Sequence, residues 1–158
     1  MLFDTINLIK DEAGTLAAFL KDKVGVFYAV SEYEGLLIRA RQQFNENSKM
    51  LCWQHVLPEM NHNEQVGWGG GSDEFAAVFF DTKDLIPQNK KRFDLTIERV
   101  KRETSNVLVI DALGTNRIEK TFYLIHLVDW ASLYLADLKR VDPMDIKVID
   151  FLKNELSK

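Results

Sequence analysis

The sequence predicts an α/β fold, a three-layer αβα sandwich in which helices cover both faces of a parallel sheet. Short apolar runs alternate along the chain with longer segments whose apolar residues repeat at helical spacing, a pattern typical of parallel sheets. The run VGVFYAV lacks the apolar–polar alternation of a half-exposed strand, so both of its faces should be buried. The length, 158 residues, fits one domain with a substantial core.

Four strands are predicted from short runs rich in apolar and β-branched residues. The first is VGVFYAV at residues 24–30, and the second is MLCWQHV at residues 50–56. EFAAVFF at residues 74–80 and NVLVID at residues 106–111 form the third and fourth. Between the second and third strands, GWGGGSD at residues 67–73 is predicted to be a loop.

Helices are predicted before, between and after these strands. The first covers residues 4–23, where apolar residues recur three or four positions apart. Further helices are expected at residues 32–47, 87–102 and 117–140, with a shorter one after Pro143.

Composition and charge exclude several classes of protein. The formal net charge is −4, so no overall positive field favours nucleic acid, and the basic stretch at residues 87–102 is interpreted as the solvated face of a helix. The longest apolar helix contains His126, Asp129 and Asp137, which indicates a core helix rather than a membrane span. We therefore expect neither a nucleic-acid partner nor a membrane partner.

A cytoplasmic location is predicted from two features of the chain. Cys52 is the single cysteine, so no internal disulfide can form. The first residues, MLFDTINLIKDEAG, carry acids where a secretion signal would have a basic segment. Both features agree with a reducing compartment and with no export.

Neither a cofactor nor a metal ion is expected. GWGGGS at residues 67–72 is rich in glycine but carries no lysine and opens no helix, so it is interpreted as a flexible loop rather than a phosphate-binding motif. Glu59, His62 and Glu64 are residue types that ligate zinc or manganese. Their spacing, however, matches no known ligand signature.

A polar stretch around the second strand holds the candidate acid–base residues. Ligands of open parallel sheets bind beyond the carboxyl ends of the strands, where Glu59, His62 and Glu64 are expected. Glu46 lies at the end of the second helix, where the helix dipole disfavours a carboxylate and so favours its use as a base. The intervening strand is expected to bring His62 round to the edge where Glu46 lies. Ordinary surface caps and turns remain the alternative interpretation of these residues.

Two longer motifs resemble a known family. QFNENSKMLCWQHVLPEMNHNEQVGW is similar to the second sugar-isomerase (SIS) domain of the bifunctional phosphoglucose/phosphomannose isomerases, which carry Q-F-N-E-N-x-K followed by P-E-x-N-H-N-E-x-V-G-W. YLIHLVDWASLYLADLKRVDPMDIKVIDFLK resembles the C-terminal signature of the same family. The resemblance extends over residues 15–157, nearly the whole chain.

The resemblance implies a flavodoxin-like SIS fold, with residues 1–158 as a single C-terminal SIS domain and the N-terminal SIS domain absent. It also implies isomerisation of glucose 6-phosphate or mannose 6-phosphate to fructose 6-phosphate through an enediol, without a cofactor. Glu46 would be the base, His62 would open the sugar ring in the site of a neighbouring subunit, and Lys153 would assist near the sugar oxygens. The substrate-binding residues implied are Asn45, Asn47, Asn61, Asn63 and Glu64.

The chain departs from the family pattern in two respects. It reads DPMDI, with Met144 and Asp145, where family members commonly read D-P-T-P-V; a threonine in that region is linked to the use of both glucose and mannose 6-phosphates. The family's phosphate-binding residues lie in its first SIS domain, so we expect little or no activity from the 158-residue chain alone.

Partners follow from the same resemblance. A hexose 6-phosphate substrate, a homodimer and a separate N-terminal SIS domain are the expected ones. A non-catalytic SIS module that binds a sugar phosphate or a protein is the alternative, and an isomerase of amino- or keto-sugar phosphates is a third.

Overall fold

A four-stranded parallel sheet forms the centre of the chain in the computed structural model, which describes residues 5–71 and 73–158. The strand order is β2-β1-β3-β4, and all neighbouring strands pair in parallel. The predicted parallel sheet is therefore confirmed. The strands are β1 (Val24–Val30), β2 (Trp53–Leu57), β3 (Phe75–Asp81) and β4 (Val107–Asp111).

Helices connect the strands and cover both faces of the sheet. The α-helices are α1 (Ile6–Leu20), α2 (Glu34–Ser48), α3 (Glu64–Gly67), α4 (Pro87–Lys101), α5 (Arg117–Lys139) and α6 (Lys147–Leu156). Within the described ranges, no helix is both long enough and apolar enough to cross a membrane.

Aromatic side chains on the two faces of the central strands fix the three layers. On one face Phe27 of β1 stacks on Phe44 of α2, with ring centroids 5.2 Å apart, and α5 packs against both α1 and α2. On the other face Phe79 of β3 makes an edge contact with Phe93 of α4 at 5.8 Å. All four rings are buried. The predicted sandwich is thus confirmed, with the α4 side as the thinner layer.

Several predicted boundaries differ from the structure by one to three residues, and two differences have an identifiable cause. β2 begins at Trp53 rather than at residue 50, because the backbone N–H of Met50 bonds to the carbonyl of Phe44 and so belongs to the end of α2. The predicted loop at residues 67–73 starts in helical turns, since a 3₁₀ turn at Trp68–Gly70 follows α3 directly. Two predicted positions, Asp4 in the first helix and Ser72 in this loop, lie outside the described residues.

The parallel arrangement defines two edges of the sheet. The carboxyl ends of the strands meet at one edge, the carboxyl edge, and their amino ends meet at the other, the amino edge. Because α2 follows β1 and precedes β2, it begins at the carboxyl edge and ends at the amino edge. The segment after β2 passes back over the sheet, since the ring of Trp68 lies 6.2 Å from that of Phe75 at the start of β3.

Candidate active site

The motif Asn45–Glu46–Asn47 forms part of the last turn of α2, at the amino edge. Asn47 Nδ2 donates to Ser132 Oγ of α5 at 2.8 Å, and Ser48 Oγ donates to the Ser132 carbonyl at 2.6 Å. These two hydrogen bonds hold the end of α2 on α5. The position of the backbone at Glu46 is therefore set by its neighbours rather than by its own side chain.

Beside this turn lies the only cysteine of the chain. Cys52 Sγ lies 3.6 Å from Asn45 Oδ1, the amide oxygen that can accept its hydrogen. Burial raises the pKa of the Cys52 thiol to about 12. The thiol is buried, and at neutral pH it stays protonated and acts as a weak donor.

The carboxylate of Glu46 faces a cavity of about 440 Å³ that α2 shares with the start of α6. The side chain is exposed, and within the described residues its carboxylate has no hydrogen-bond or ion-pair partner. Lys49 Nζ lies nearby but donates to the backbone carbonyl of Glu46 at 2.6 Å. The remaining lining comes from Asn45 and residues 145–149. Glu46 is therefore free to act on a bound molecule.

Lys153, the third predicted catalytic residue, lies on α6. It is exposed and does not line the cavity beside Glu46, whose α6 side ends at Ile149. Lys153 is about one turn beyond Ile149 along the helix. The structure thus brings α6 next to Glu46 but does not bring Lys153 itself into the same cavity.

The second motif, Asn61–His62–Asn63, follows β2 at the carboxyl edge. Asn61 Nδ2 donates to Gln65 Oε1 at 2.6 Å and to Thr96 Oγ1 of α4 at 2.9 Å. Asn63 Oδ1 accepts from the backbone N–H of Glu64 at 2.6 Å and so caps α3. Both flanking amides are therefore used to hold the segment in place.

A partly buried polar network anchors Glu64, the residue after this motif. The Tyr28 hydroxyl donates to Glu64 Oε1 and accepts from Trp68 Nε1 at 2.9 Å, while Glu64 Oε2 lies 2.8 Å from His55 Nδ1. Burial, reinforced by the charge of Glu64, raises the pKa of Tyr28 far above its ordinary value. Tyr28 thus remains a hydrogen-bond donor, and Glu64 ties the short helix α3 to the face of the sheet.

His62 is the exception within its motif. Its side chain is exposed, and in the described part of the chain no group forms a hydrogen bond or ion pair with the imidazole. Both motifs therefore share one arrangement: the flanking residues make internal contacts, and the central titratable residue is left free.

The expectation that the intervening strand brings Glu46 and His62 to the same edge is wrong for a single chain. α2 runs antiparallel to the strands, so its last turn, with Glu46, lies at the amino edge. His62 follows the carboxyl end of β2. One copy of the chain therefore does not combine both residues in one cleft.

The carboxyl edge also holds a charge network that was not predicted. Asp81, the last residue of β3, is buried; its Oδ2 lies 2.9 Å from Lys83 Nζ and 3.4 Å from Lys90 Nζ. Burial alone would raise the pKa of Asp81, but the hydrogen bonds and charge of Lys83, with the charge of Lys90, bring it below its ordinary value. In the sequence, the only sign of this network is that an acidic residue, Asp81, follows directly after an apolar run.

The amino end of α2 is unsuited to phosphate. The 3₁₀ turn at Ser31–Tyr33 contains Glu32, and Glu34 occupies the first turn of α2. Two carboxylates already complement the positive end of this helix and would repel a phosphate there. Within the described ranges, no group of three or more His, Cys, Asp or Glu residues is arranged to hold a metal ion.

Comparison with solved structures shows which fold the chain shares. A glucose-6-phosphate isomerase like protein from Thermus thermophilus matches with a TM-score of 0.72 and 24% identity over 90% of this chain and 46% of that one. The C-terminal domain of glucosamine-fructose-6-phosphate aminotransferase from Francisella tularensis matches with a TM-score of 0.68 and 13% identity, over 85% and 42%. The chain therefore shares the fold of these two proteins.

The family of the chain follows from the sequence. Residues 9–156 match the family described as "Bacterial phospho-glucose isomerase C-terminal SIS domain", and the chain belongs to this family. It is 36% identical to the bifunctional phosphoglucose/phosphomannose isomerase of Caldicellulosiruptor bescii, over 94% of this chain and 45% of the relative. It is 31% identical to the enzyme of the same name from Aquifex aeolicus, over 99% and 50%. The chain thus spans about half the length of the curated relatives it matches.

Proposed function

We propose that the chain is the C-terminal catalytic half of a sugar-phosphate isomerase that interconverts glucose 6-phosphate or mannose 6-phosphate with fructose 6-phosphate. One observation carries this proposal: Asn47, Asn61 and Asn63 make internal hydrogen bonds, while the side chains of Glu46 and His62 are left without partners in the described chain. The name and activity of the relatives agree with it. A cytoplasmic location remains a prediction.

The chemistry assigns a role to each free residue. Aldose–ketose isomerisation moves a proton between adjacent carbons: Glu46 removes the C2 proton to give the enediol and returns a proton to C1. His62 exchanges protons with the ring oxygen and the anomeric hydroxyl to open the ring. Lys153 polarises the sugar oxygens, and closure of α6 towards Glu46 would bring it into range. Five residues were expected to contact the substrate, and we infer that their main role is instead to position Glu46 and His62. They are Asn45, Asn47, Asn61, Asn63 and Glu64.

A homodimer follows from the placement of the two central residues. Because Glu46 and His62 lie at opposite edges of the sheet, a site that contains both requires two copies of the chain. We place His62 of one copy against the cavity beside Glu46 of the other. Its exposed imidazole is accessible for such a contact.

An N-terminal SIS domain is the second proposed partner. The acidic amino end of α2 argues against a phosphate site there, so the substrate's phosphate would be bound by the other domain. α6 offers a surface for it, since Val148 is 83% exposed, Phe151 65% and Leu156 79%. Apolar side chains this exposed on one helix are typical of an interaction surface.

Isomerase activity tests the proposal directly. Formation of fructose 6-phosphate from glucose 6-phosphate would be measured for the chain alone and after addition of an N-terminal SIS domain from a bifunctional relative. We expect little or no activity alone, and activity on reconstitution that Glu46→Gln lowers by roughly 100- to 10,000-fold, the range of a general base. Glu34→Gln, another exposed glutamate of α2, is the matched control and should keep full activity. Strong turnover by the chain alone, or equal losses in both variants, would contradict the proposal.

A non-catalytic SIS module is the alternative, favoured by the acidic amino end of α2. In that case Glu46→Gln would leave sugar-phosphate or partner binding unchanged, and no reconstitution would yield turnover. The reconstitution assay separates the two functions, because only the catalytic half gives turnover that Glu46→Gln removes.

A further inference from the structure

A second cleft lies between the segment after β2 and the first half of α4. Its volume is about 330 Å³, which is in the range of small-molecule sites. It is separate from the cavity beside Glu46, which lies at the opposite edge of the sheet. The cleft is lined by Asn61, Gln65, Gln88, Lys91, Arg92, Leu95 and Thr96.

The charge of this cleft is opposite to that of the chain as a whole. Lys91 and Arg92 contribute two positive charges, and no acidic residue is among its lining residues, although the formal net charge of the chain is −4. Two cations side by side without a carboxylate raise the local concentration of anions.

Two other basic side chains of α4, in contrast, are paired with acids. Lys90 pairs with Asp81 and Asp94, and Arg99 pairs with Glu103. Within the described residues, the side chains of Lys91 and Arg92 form no hydrogen bond or ion pair. The two cations that line the cleft are thus available to an external anion.

Polar groups around the cations fit an oxyanion. Gln65 and Gln88 present carboxamides to the same cleft, and a carboxamide N–H donates to phosphate oxygens. The first turn of α4 contains no acid and begins with Pro87, so the positive end of the helix dipole adds to the field.

Asn61 contributes a further feature. Its Nδ2 donates to Gln65 and Thr96, whereas its Oδ1 is buried and has no partner in the described chain. An unpaired buried acceptor is rare in folded proteins.

We propose that this cleft is a binding site for the phosphate group of a small phosphorylated compound. Lys91 and Arg92 contact the phosphate oxygens, and the carboxamides of Gln65 and Gln88 donate to them. The site goes beyond the proposed isomerase function, since it contains neither Glu46 nor Lys153. His62 is the sequence neighbour of Asn61, so occupancy of the cleft would also act on the position of the imidazole.

Titration of the 158-residue chain with inorganic phosphate, at constant ionic strength, tests the site. Side-chain amide signals in ¹H–¹⁵N NMR spectra should shift saturably at Gln65 and Gln88. Glucose 6-phosphate should shift the same signals, and glucose should not. Lys91→Gln/Arg92→Gln should weaken phosphate binding by about tenfold or more, because each lost charge-assisted hydrogen bond reduces the affinity for phosphate.

The control variant is Lys101→Gln/Arg102→Gln, which makes the same change in net charge at the other end of α4. It should change phosphate affinity by less than about twofold, because these charges lie beyond a Debye length of roughly 8–10 Å from the cleft.

Equal losses in the two variants, phosphate shifts confined to other residues, or equal shifts with glucose would overturn the proposal. The phosphate titration does not depend on turnover, so a failure of the isomerase proposal remains distinguishable. Far-UV circular dichroism verifies that each variant is folded.

Discussion

The exposed side chains of Glu46 and His62 are positioned by neighbouring residues that make internal hydrogen bonds. Asn47 bonds to Ser132 and Asn63 caps α3, so the backbone on either side of each titratable residue is held in place. Positioning by neighbours leaves the carboxylate and the imidazole with all their hydrogen-bonding capacity for a ligand. Each motif therefore holds one titratable side chain in an exposed position.

Asp81 is a residue whose protonation should control stability. Its folded pKa is lowered, so its carboxylate stabilises the fold above its unfolded pKa of about 3.9, and this contribution is lost as the pH falls through the folded pKa. Asp81→Asn should lower the free energy of unfolding at pH 7 by about 1–3 kcal/mol, since Lys83 and Lys90 lose a buried acceptor. As the pH falls through the folded pKa of Asp81, the difference in unfolding free energy between variant and parent should shrink.

Urea unfolding at pH 7 and in acid measures this effect. Asp94→Asn is the control, because Asp94 also pairs with Lys90 but on an exposed surface. It should cost less than about 1 kcal/mol at either pH. A loss for Asp81→Asn that stays the same in acid would show that packing, and not the charge network, accounts for it.

Among the elements, the connection between β2 and β3 shows the strongest dependence on side chains. α3 has only four residues, none of them buried. It is too short to be stable on its own, so its position over the sheet depends on Glu64, which joins Tyr28 and His55. This connection carries His62.

Removal of Glu64 should therefore loosen the segment around His62. Glu64→Ala leaves the buried Tyr28 hydroxyl without its acceptor, at a cost of about 1–3 kcal/mol. Amide hydrogen exchange of residues 59–67 should accelerate by roughly tenfold or more, because each 1.4 kcal/mol of local stability corresponds to a factor of ten. Hydrogen–deuterium exchange with mass spectrometry measures this directly.

Glu59→Ala provides the comparison, since Glu59 is exposed and lies in the same segment. It should leave exchange at residues 59–67 within about twofold of the parent, as expected for a surface substitution. Unchanged exchange in Glu64→Ala would mean that backbone contacts alone hold α3.

For the whole molecule, α6 is the part that the domain itself does not cover. All of its residues are exposed, including Val148 and Phe151. A helix with a broad apolar face normally packs that face against another element. We therefore expect its partner to be another domain, in agreement with the proposed N-terminal SIS domain.

Substitutions on α6 test this assembly. Val148→Ser/Phe151→Ser should weaken association with a separately produced N-terminal SIS domain by at least about tenfold, because each buried apolar side chain contributes roughly 1.5–3 kcal/mol. The thermal melting temperature of the chain alone should not fall. Isothermal titration calorimetry measures the affinity.

The matched control is Ile118→Ser, at an exposed apolar position of α5 where the side chain is 69% exposed. This variant should bind the added N-terminal SIS domain as tightly as the parent does. If both variants bind the added domain as tightly as the parent does, α6 is not the docking surface.

Most elements of the fold could be predicted from local patterns. β1 was located correctly at residues 24–30, because a short apolar run in a central strand is buried on both faces. β2 was placed too early, since the hydrogen bond between Met50 and Phe44 that ends α2 is a contact between elements. The turn at Trp68–Gly70 was missed because Trp68 is held by Tyr28, a residue 40 positions away in the chain.

The sequence by itself determined the α/β class, the alternation of strands and helices, and the two motifs around Glu46 and His62, because periodicity and residue type are local properties. Only the tertiary structure decided that these two residues lie at opposite edges of the sheet, and that the carboxylate of Glu64 is bonded to Tyr28 and His55. The physical reason is that direction and pairing depend on the order of parallel strands and on contacts between distant residues. Spacing along the chain does not contain that information.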